Sequence, residues 1–196
     1  MASKTAARKA ALQTQLLEIA ERRIAEGGLA ALRARDLAAE AGCSVGAIYN
    51  AYDDLNALVM AVNGRTFRAL GVAVNGAVAG SGSMTPQERL IVMSKAYLGF
   101  AAAHTRQWRA LFDLEMTADG PVPSWYLEEL AAVFALIAAP LREIYPDKSD
   151  VELDLMVRAL FSSVHGIVLL GLERRISGVP LSQIEQMIAA VLSELG

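Results

Sequence analysis

Apolar residues recur three and four positions apart along most of the chain, in segments separated by glycine, proline and short polar clusters. The first such segment predicts a helix from about Ala6 to Glu26. Leu12, Leu16, Ile19 and Ala20 fall on one face, and Gly27-Gly28 ends it. Two short helices follow, Ala34 to Ala41 with Leu37 and Ala38 inward, and Val45 to Ala51. Asp53-Asp54 can cap a long fourth helix that reaches about Val78. After the break at Gly80–Met84, Thr85, Pro86 and Glu88 supply an N-cap, a first-turn proline and a capping-box glutamate. Further helices are predicted over Pro86–His104, over Arg106–Glu115, from Ser124 to about Ile144, from Ser149 to about Ile176, and from Ser182 onward. Ser149 with Glu152, and Ser182 with Glu185, have the spacing of two more capping boxes.

Composition agrees with an all-α chain. Hydrophobic residues make up 54% and aromatics only 6%, and the abundant Ala and Leu lead the helix-propensity scale. The longest uninterrupted apolar runs, near Leu130–Leu141 and Val164–Leu172, fall short of a bilayer span and read as buried helix faces. The basic N-terminus lacks the apolar core of a signal peptide. A single cysteine excludes an internal disulfide and a cysteine metal cluster. A soluble, cytoplasmic protein with no membrane partner is expected.

The net charge of −3 argues against nucleic acid, but the charge is uneven. Residues 1–70 hold nine Lys/Arg against seven Asp/Glu, or +2, and residues 71–196 hold nine against fourteen, or −5. So small an excess suffices for phosphate binding only if the positive groups gather on one face.

The stretch "AGCSVGAIYNAY", Ala41–Tyr52, is apolar at regular intervals and broken by Gly42 and Gly46. Two short helices joined at a glycine, with a longer helix before them, have the layout of a helix-turn-helix. Ala38 is small enough for the crossing, Gly42 tolerates the positive φ of the turn, and Ile48 points back towards Leu37. Ser44 can cap the second helix. Its outer side then presents Val45, Gly46, Ala47, Tyr49 and Asn50. Asn50 suits base edges, and Tyr49 can donate to a phosphate.

Leu16–Leu58, which contains "EGG", "RDLA", "EAG" and "GAIYNAY", resembles the DNA-binding domain of the TetR family of transcriptional regulators. The resemblance covers about a quarter of the chain. It implies a three-helix helix-turn-helix head at residues 1–53 and a larger helical domain at 54–196, with helix 54–78 as connector. It also implies that Arg35 lies near the DNA backbone or a base, that Ser44 and Tyr49 are phosphate contacts, and that Val45, Gly46, Ala47 and Asn50 face the groove. Tyr52 would fill an aromatic core position. Two residues depart from the pattern: Leu32-Arg33 stands where a Ser or Thr cap is usual, and Leu55 where a phosphate-gripping Lys is usual. Arg33, Arg35 and the arm residues Lys4, Arg8 and Lys9 would then carry the phosphate contacts.

Ser162–Arg175 and Gln107–Met116 resemble a subgroup of TetR-type C-terminal domains marked by a Trp-His-Gly signature, with Val164 in the Trp place before His165-Gly166. Such a domain dimerises and often holds a small effector. The last two predicted helices are apolar enough to form a twofold four-helix interface through Leu160, Val164, Ile167, Val168, Gly171 and Leu172 with Ile184, Met187 and Val191. The alternative is that both stripes face their own core. Tyr97, Trp108, Phe112, Met116, Phe134 and His165 are candidates for lining an apolar effector pocket, or else ordinary core.

His165 and His104 have no Cys or carboxylate cluster beside them, so no metal or other cofactor is expected, and Cys43 reads as a small apolar filler. A Gly-rich phosphate loop, a Ser-His-Asp spacing, HExxH and paired carboxylates are all missing, so the chain is not read as an enzyme. The expected function is a TetR-like, ligand-responsive repressor that binds a near-palindromic duplex DNA operator as a homodimer, with a small apolar effector. The rival is a helical small-molecule-binding protein with a vestigial DNA-binding head.

Overall fold

The computed structural model describes residues 2–80, 82–114, 122–173 and 178–195. Among them are nine α-helices and no strand: α1 (Ala2–Gly27), α2 (Ala34–Ala41), α3 (Val45–Ala51), α4 (Leu55–Ala77), α5 (Pro86–Ala103), α6 (Thr105–Asp113), α7 (Ser124–Ile144), α8 (Asp150–Leu172) and α9 (Leu181–Leu192). A single tight helical turn, Leu29–Ala31, links α1 to α2 and is not marked in the sequence pattern. The chain divides into two compact units. The first is Met1–Phe67 with His104–Tyr126, and the second is Arg68–Ala103 with Leu127–Gly196.

Side-chain chemistry starts the helices largely as expected. Asp54 Oδ1 accepts from the Ala57 N–H at 2.6 Å. Thr85 and Glu88 exchange backbone hydrogen bonds reciprocally, as do Ser149 and Glu152. The expected Ser182–Glu185 box does not form, because α9 begins at Leu181 behind Pro180 and leaves Ser182 inside the first turn. Helix α1 begins at Ala2, so Lys4, Arg8 and Lys9 ride on a helix and not on a loose tail. The predicted run of α8 to Ile176 stops at Leu172, and residues 174–177 lie outside the described residues.

In the first unit, Leu16, Ala20 and Ile24 of α1 meet Leu37 of α2, Ile48 of α3, and Leu58 and Val62 of α4, all with no exposed surface. Fully burying each large side chain is worth about 1.5–3 kcal/mol. Ala110 of α6 joins this cluster. Asn63 of α4, also fully buried, donates through Nδ2 to the Ala110 carbonyl at 2.9 Å and to the Tyr126 hydroxyl at 3.4 Å, while its Oδ1 has no partner among the described residues. Burial pushes the Tyr126 phenol above its ordinary pKa, with the Asn63 hydrogen bond opposing.

The second unit packs α5 and α8 against α9. Val157, Val164 and Val168 of α8 are buried, as are Ile184, Ile188 and Leu192 at four-residue spacing on α9. At the α8–α9 crossing, a Cβ on Gly171 would lie 2.5 Å from Ile184 Cδ1, so glycine is what lets the helices approach.

Averaged over windows of 18 residues, α4, α7 and α8 are long and apolar enough to cross a bilayer by length and composition. Scattered charges shorten the uninterrupted apolar runs of these helices without lowering their mean hydropathy much. Those charges form ion pairs at the surface: Arg65 with Glu21 at 2.6 Å, Arg68 with Glu129, and Arg158 with Asp154 at 2.7 Å.

The α8 cap makes the fold acid-sensitive. The Ser149 backbone N–H, then Lys148 and the Ser149 hydroxyl, hold the Glu152 carboxyl at a pKa of about 2 against an ordinary 4.5. A depressed folded-state pKa means that this stabilisation is full above about pH 4.5 and is lost as pH falls towards 2. In helicity-monitored melts, Glu152→Gln is expected to lower stability at neutral pH and to remove part of the acid-induced loss between those limits.

Candidate nucleic-acid interface and effector cavity

The outer face of α3 is set by what lies beneath it. Ile48 and Ala51 point into the core of the first unit, so Gly46, Tyr49 and Asn50, three and four residues apart, share the exposed side. Val45 and Ala47 are half-buried, and Val45 also packs against the core. Gly42 follows α2 with φ of 64° and ψ of 33°, the left-handed conformation that glycine adopts without a Cβ clash. Ser44 is exposed, and its hydroxyl oxygen accepts from the Ala47 N–H at 3.2 Å, so it caps α3. Tyr52 closes the helix from within. Its hydroxyl donates to the Gln13 carbonyl at 3.0 Å, and Gln13 Nε2 donates to the Ala51 carbonyl at 2.7 Å. Burial raises the Tyr52 pKa, partly offset by Arg65.

Cations within residues 1–67 fall into two groups. Arg22 pairs with Glu26 and Glu40, Arg23 with Glu40 and Asp36, and Arg65 with Glu21. Lys4, Arg8, Lys9, Arg33 and Arg35 are exposed and form no ion pair among the described residues. The small excess of positive charge is therefore concentrated on the start of α1 and the start of α2. Arg33 occupies the N-cap position of α2 in an extended conformation, without a side-chain cap hydrogen bond. Leu55, in the place of the usual Lys, packs partly buried against the core, as does Cys43.

The effector candidates divide between the units. Trp108 is buried in the first unit, with Phe112 edge-on at 5.6 Å and 41% exposed. Met116 lies outside the described residues. Tyr97, Phe134 and His165 belong to the second unit, gathered around a residue that sequence reasoning missed, Phe161. Its ring lies 5.1 Å from Phe134 edge-on, 6.1 Å from Tyr97, and 5.5 Å from the stacked His165 imidazole. The Tyr97 hydroxyl and His165 Nδ1 are 2.8 Å apart. Burial holds the imidazole below its ordinary pKa.

Beside this cluster is a narrow apolar cleft, open at its mouth, between the end of α4 and helices α5, α7 and α8. Leu90, Tyr97, Val133, Ile137, Phe161 and Val164 form most of its wall, and Ser94 also faces it. Phe134 faces a second cleft, where Arg142 pairs with Asp150, and Arg158 pairs with Asp154 and stacks over the Phe134 ring at 5.8 Å. The one signal for Phe161 and Ser94 was helical spacing, four residues before His165 and three before Tyr97.

The interface candidates differ in exposure within the chain. Val164, Val168 and Ile184 are buried within their own unit and have almost no surface left for a second copy, while Leu160 lines the cavity. Gly171 is spent on the contact with Ile184. Ile167 and Leu172 are half-buried, and Met187 and Val191 are exposed. The open side of α8 instead carries Leu155, Ala159, Ser162 and Leu170.

Comparison with known proteins places both regions. Residues 16–62 match the model described as bacterial regulatory proteins, tetR family, and residues 90–195 match the tetracyclin repressor-like C-terminal domain. A protein of unknown function from Rhodococcus sp. RHA1 is 24% identical with a TM-score of 0.72, over 92% of this chain and 93% of that one. The transcriptional regulator FadR from Bacillus subtilis, solved in complex with stearoyl-CoA, is 14% identical with a TM-score of 0.69, over 92% and 97%. The TetR family regulator PfmR from Thermus thermophilus is 17% identical with a TM-score of 0.60, over 90% and 96%. At these identities the likeness is one of fold. No curated protein matches the chain.

Removing either device that orients α3 is expected to destabilise the head. Gly42→Ala places a Cβ in the left-handed region at a cost of about 1–2 kcal/mol. Ser44→Ala loses the cap at about 1 kcal/mol. Chemical denaturation of the two variants checks both values.

Proposed function

The chain belongs to the TetR family of bacterial transcriptional regulators, and from that membership we propose a cytoplasmic, effector-responsive repressor that binds a near-palindromic duplex operator as a homodimer. The observation that carries the reading is the exposed Gly46–Tyr49–Asn50 face of α3 together with Arg33 and Arg35, which form no ion pair among the described residues. Gly46 allows close approach to a groove wall, Asn50 reads a base edge, and Tyr49 and Ser44 meet phosphates. Val45 and Ala47 supply apolar contact at the rim. Arg33, Arg35, Lys4, Arg8 and Lys9 replace the phosphate grip that Leu55 cannot give.

Residues 1–53 act as the reading head and residues 54–196 as the effector and dimer domain. His165-Gly166 and the Gln107–Met116 stretch support assignment to the Trp-His-Gly subgroup. The dimer forms through the open side of α8, with Leu155 and Leu170, and through Met187 and Val191 of α9. These are exposed apolar side chains on neighbouring helices of one unit. Twofold pairing presents two α3 helices to successive major grooves about 34–36 Å apart. Effector in the apolar cavity favours a head spacing that no longer fits, with α4, continuous through both units, as the lever. A coupling of about 1–3 kcal/mol is typical of such linkage.

Selection from random duplex DNA with the purified protein tests the reading, and a near-palindromic enriched site is expected. On that site, Asn50→Ala should relax preference at one base pair, whereas Tyr49→Phe should weaken binding across sequences. Arg33→Ala and Arg35→Ala should each reduce the salt slope of log Kd by about 1. Retention with no salt dependence would instead mark the head as vestigial. For the dimer, Val191→Glu is expected to shift the protein towards monomer in sedimentation at unchanged helix content.

A further inference from the structure

The cavity of the second unit restricts the charge of what it can hold. Its described wall is aliphatic or aromatic apart from the Tyr97 phenol and the Ser94 hydroxyl, and none of those residues carries a charge. Ser94 makes no hydrogen bond among the described residues, which leaves its hydroxyl available to a ligand. Arg89 and Lys95, next in sequence to wall residues Leu90 and Ser94, pair with Glu143 and Glu185, and Arg142 and Arg158 at the second cleft each pair with an aspartate. A carboxylate or phosphate entering the cavity would lose its hydration and meet no opposite charge, which is strongly unfavourable.

We infer that the cavity selects an uncharged ligand with a slender hydrocarbon or aryl body and one hydrogen-bonding group, a hydroxyl or carbonyl, that meets the Ser94 hydroxyl, and that it rejects carboxylates and acyl-CoA thioesters. The inference rests on the reading of the second unit as the effector domain. Phe161, Tyr97 and Ile137 supply the apolar faces for the body. The imidazole behind Tyr97 stays neutral at neutral pH, since burial holds its pKa low, so it supplies no counter-charge to an anion. Specificity would come from charge exclusion and one polar contact, and shape would matter less.

Competition with the neutral fluorophore N-phenylnaphthylamine on the full-length protein at neutral pH tests the inference. Decanol is expected to displace the fluorophore. Decanoate and decanoyl-CoA should be at least about tenfold weaker, equivalent to about 1.4 kcal/mol. Ser94→Ala should weaken decanol by about three- to tenfold and leave the fluorophore's own affinity nearly unchanged, and Ser94→Thr should restore most of the loss. Decanoate or decanoyl-CoA binding as tightly as decanol would overturn the charge rule while leaving the effector cavity in place. An unchanged decanol affinity in Ser94→Ala would overturn the polar contact. If neither fluorophore nor decanol binds, and none of the three compounds alters retention on the selected DNA, the effector-domain reading falls and the inference with it.

Discussion

Everything proposed for the head depends on one steric arrangement, the closure of Leu37 and Ile48 over Leu16 and Ile24 across a left-handed glycine turn. All four side chains are fully buried, and Gly42 supplies the backbone conformation that reverses the chain between two short helices. Once Ile48 is fixed inward, the period of the helix leaves no choice about the outer face, which must carry Gly46, Tyr49 and Asn50. A seven-residue helix has little stability of its own. Ser44 at its start, and Tyr52 and Gln13 at its end, hold it in place.

Buried polarity has a different role in the rest of the first unit. Asn63 spends its amide donors on α6 and on Tyr126 and leaves an oxygen without a partner among the described residues. An orphaned buried carbonyl costs free energy, which the two donor bonds of the same amide offset. The second unit contrasts with this. It pairs Tyr97 with His165 beside the cavity, and two of its helices are sparsely covered: only 17% of the apolar windows of α7 and α8 is buried, against 50% for α4. Exposed Leu155, Leu170, Met187 and Val191 are the consequence.

Family membership fits both units, yet the two departures from the family pattern have structural counterparts of unequal kind. Leu55 is absorbed into the core of the head, so its replacement of a Lys removes a charge and adds a packing contact. Arg33 adds no cap to α2 and remains free of ion pairs among the described residues. Charge is thereby moved from the start of α4 to the start of α2.

Helix count, most caps, the glycine turn and the outward residues of α3 were legible in the sequence, because each follows from local periodicity or from a side chain bonding to backbone three residues away. Ser149–Glu152 formed a box and Ser182–Glu185 did not, since the N-cap of α9 is Pro180, two residues before Ser182. What lay beyond the sequence were facts fixed by partners distant along the chain. Pairing of Arg22 and Arg23 with the acidic residues of α2 decided which cations are free. Likewise, only the packing of α8 on α9 decided that Val164, Val168 and Ile184 are core and that Leu155 and Leu170 are surface. Three apolar rows can be drawn on such a helix from sequence, and periodicity assigns them to no neighbour. Tertiary contact does, because burial depends on which helix arrives and not on the residues that await it.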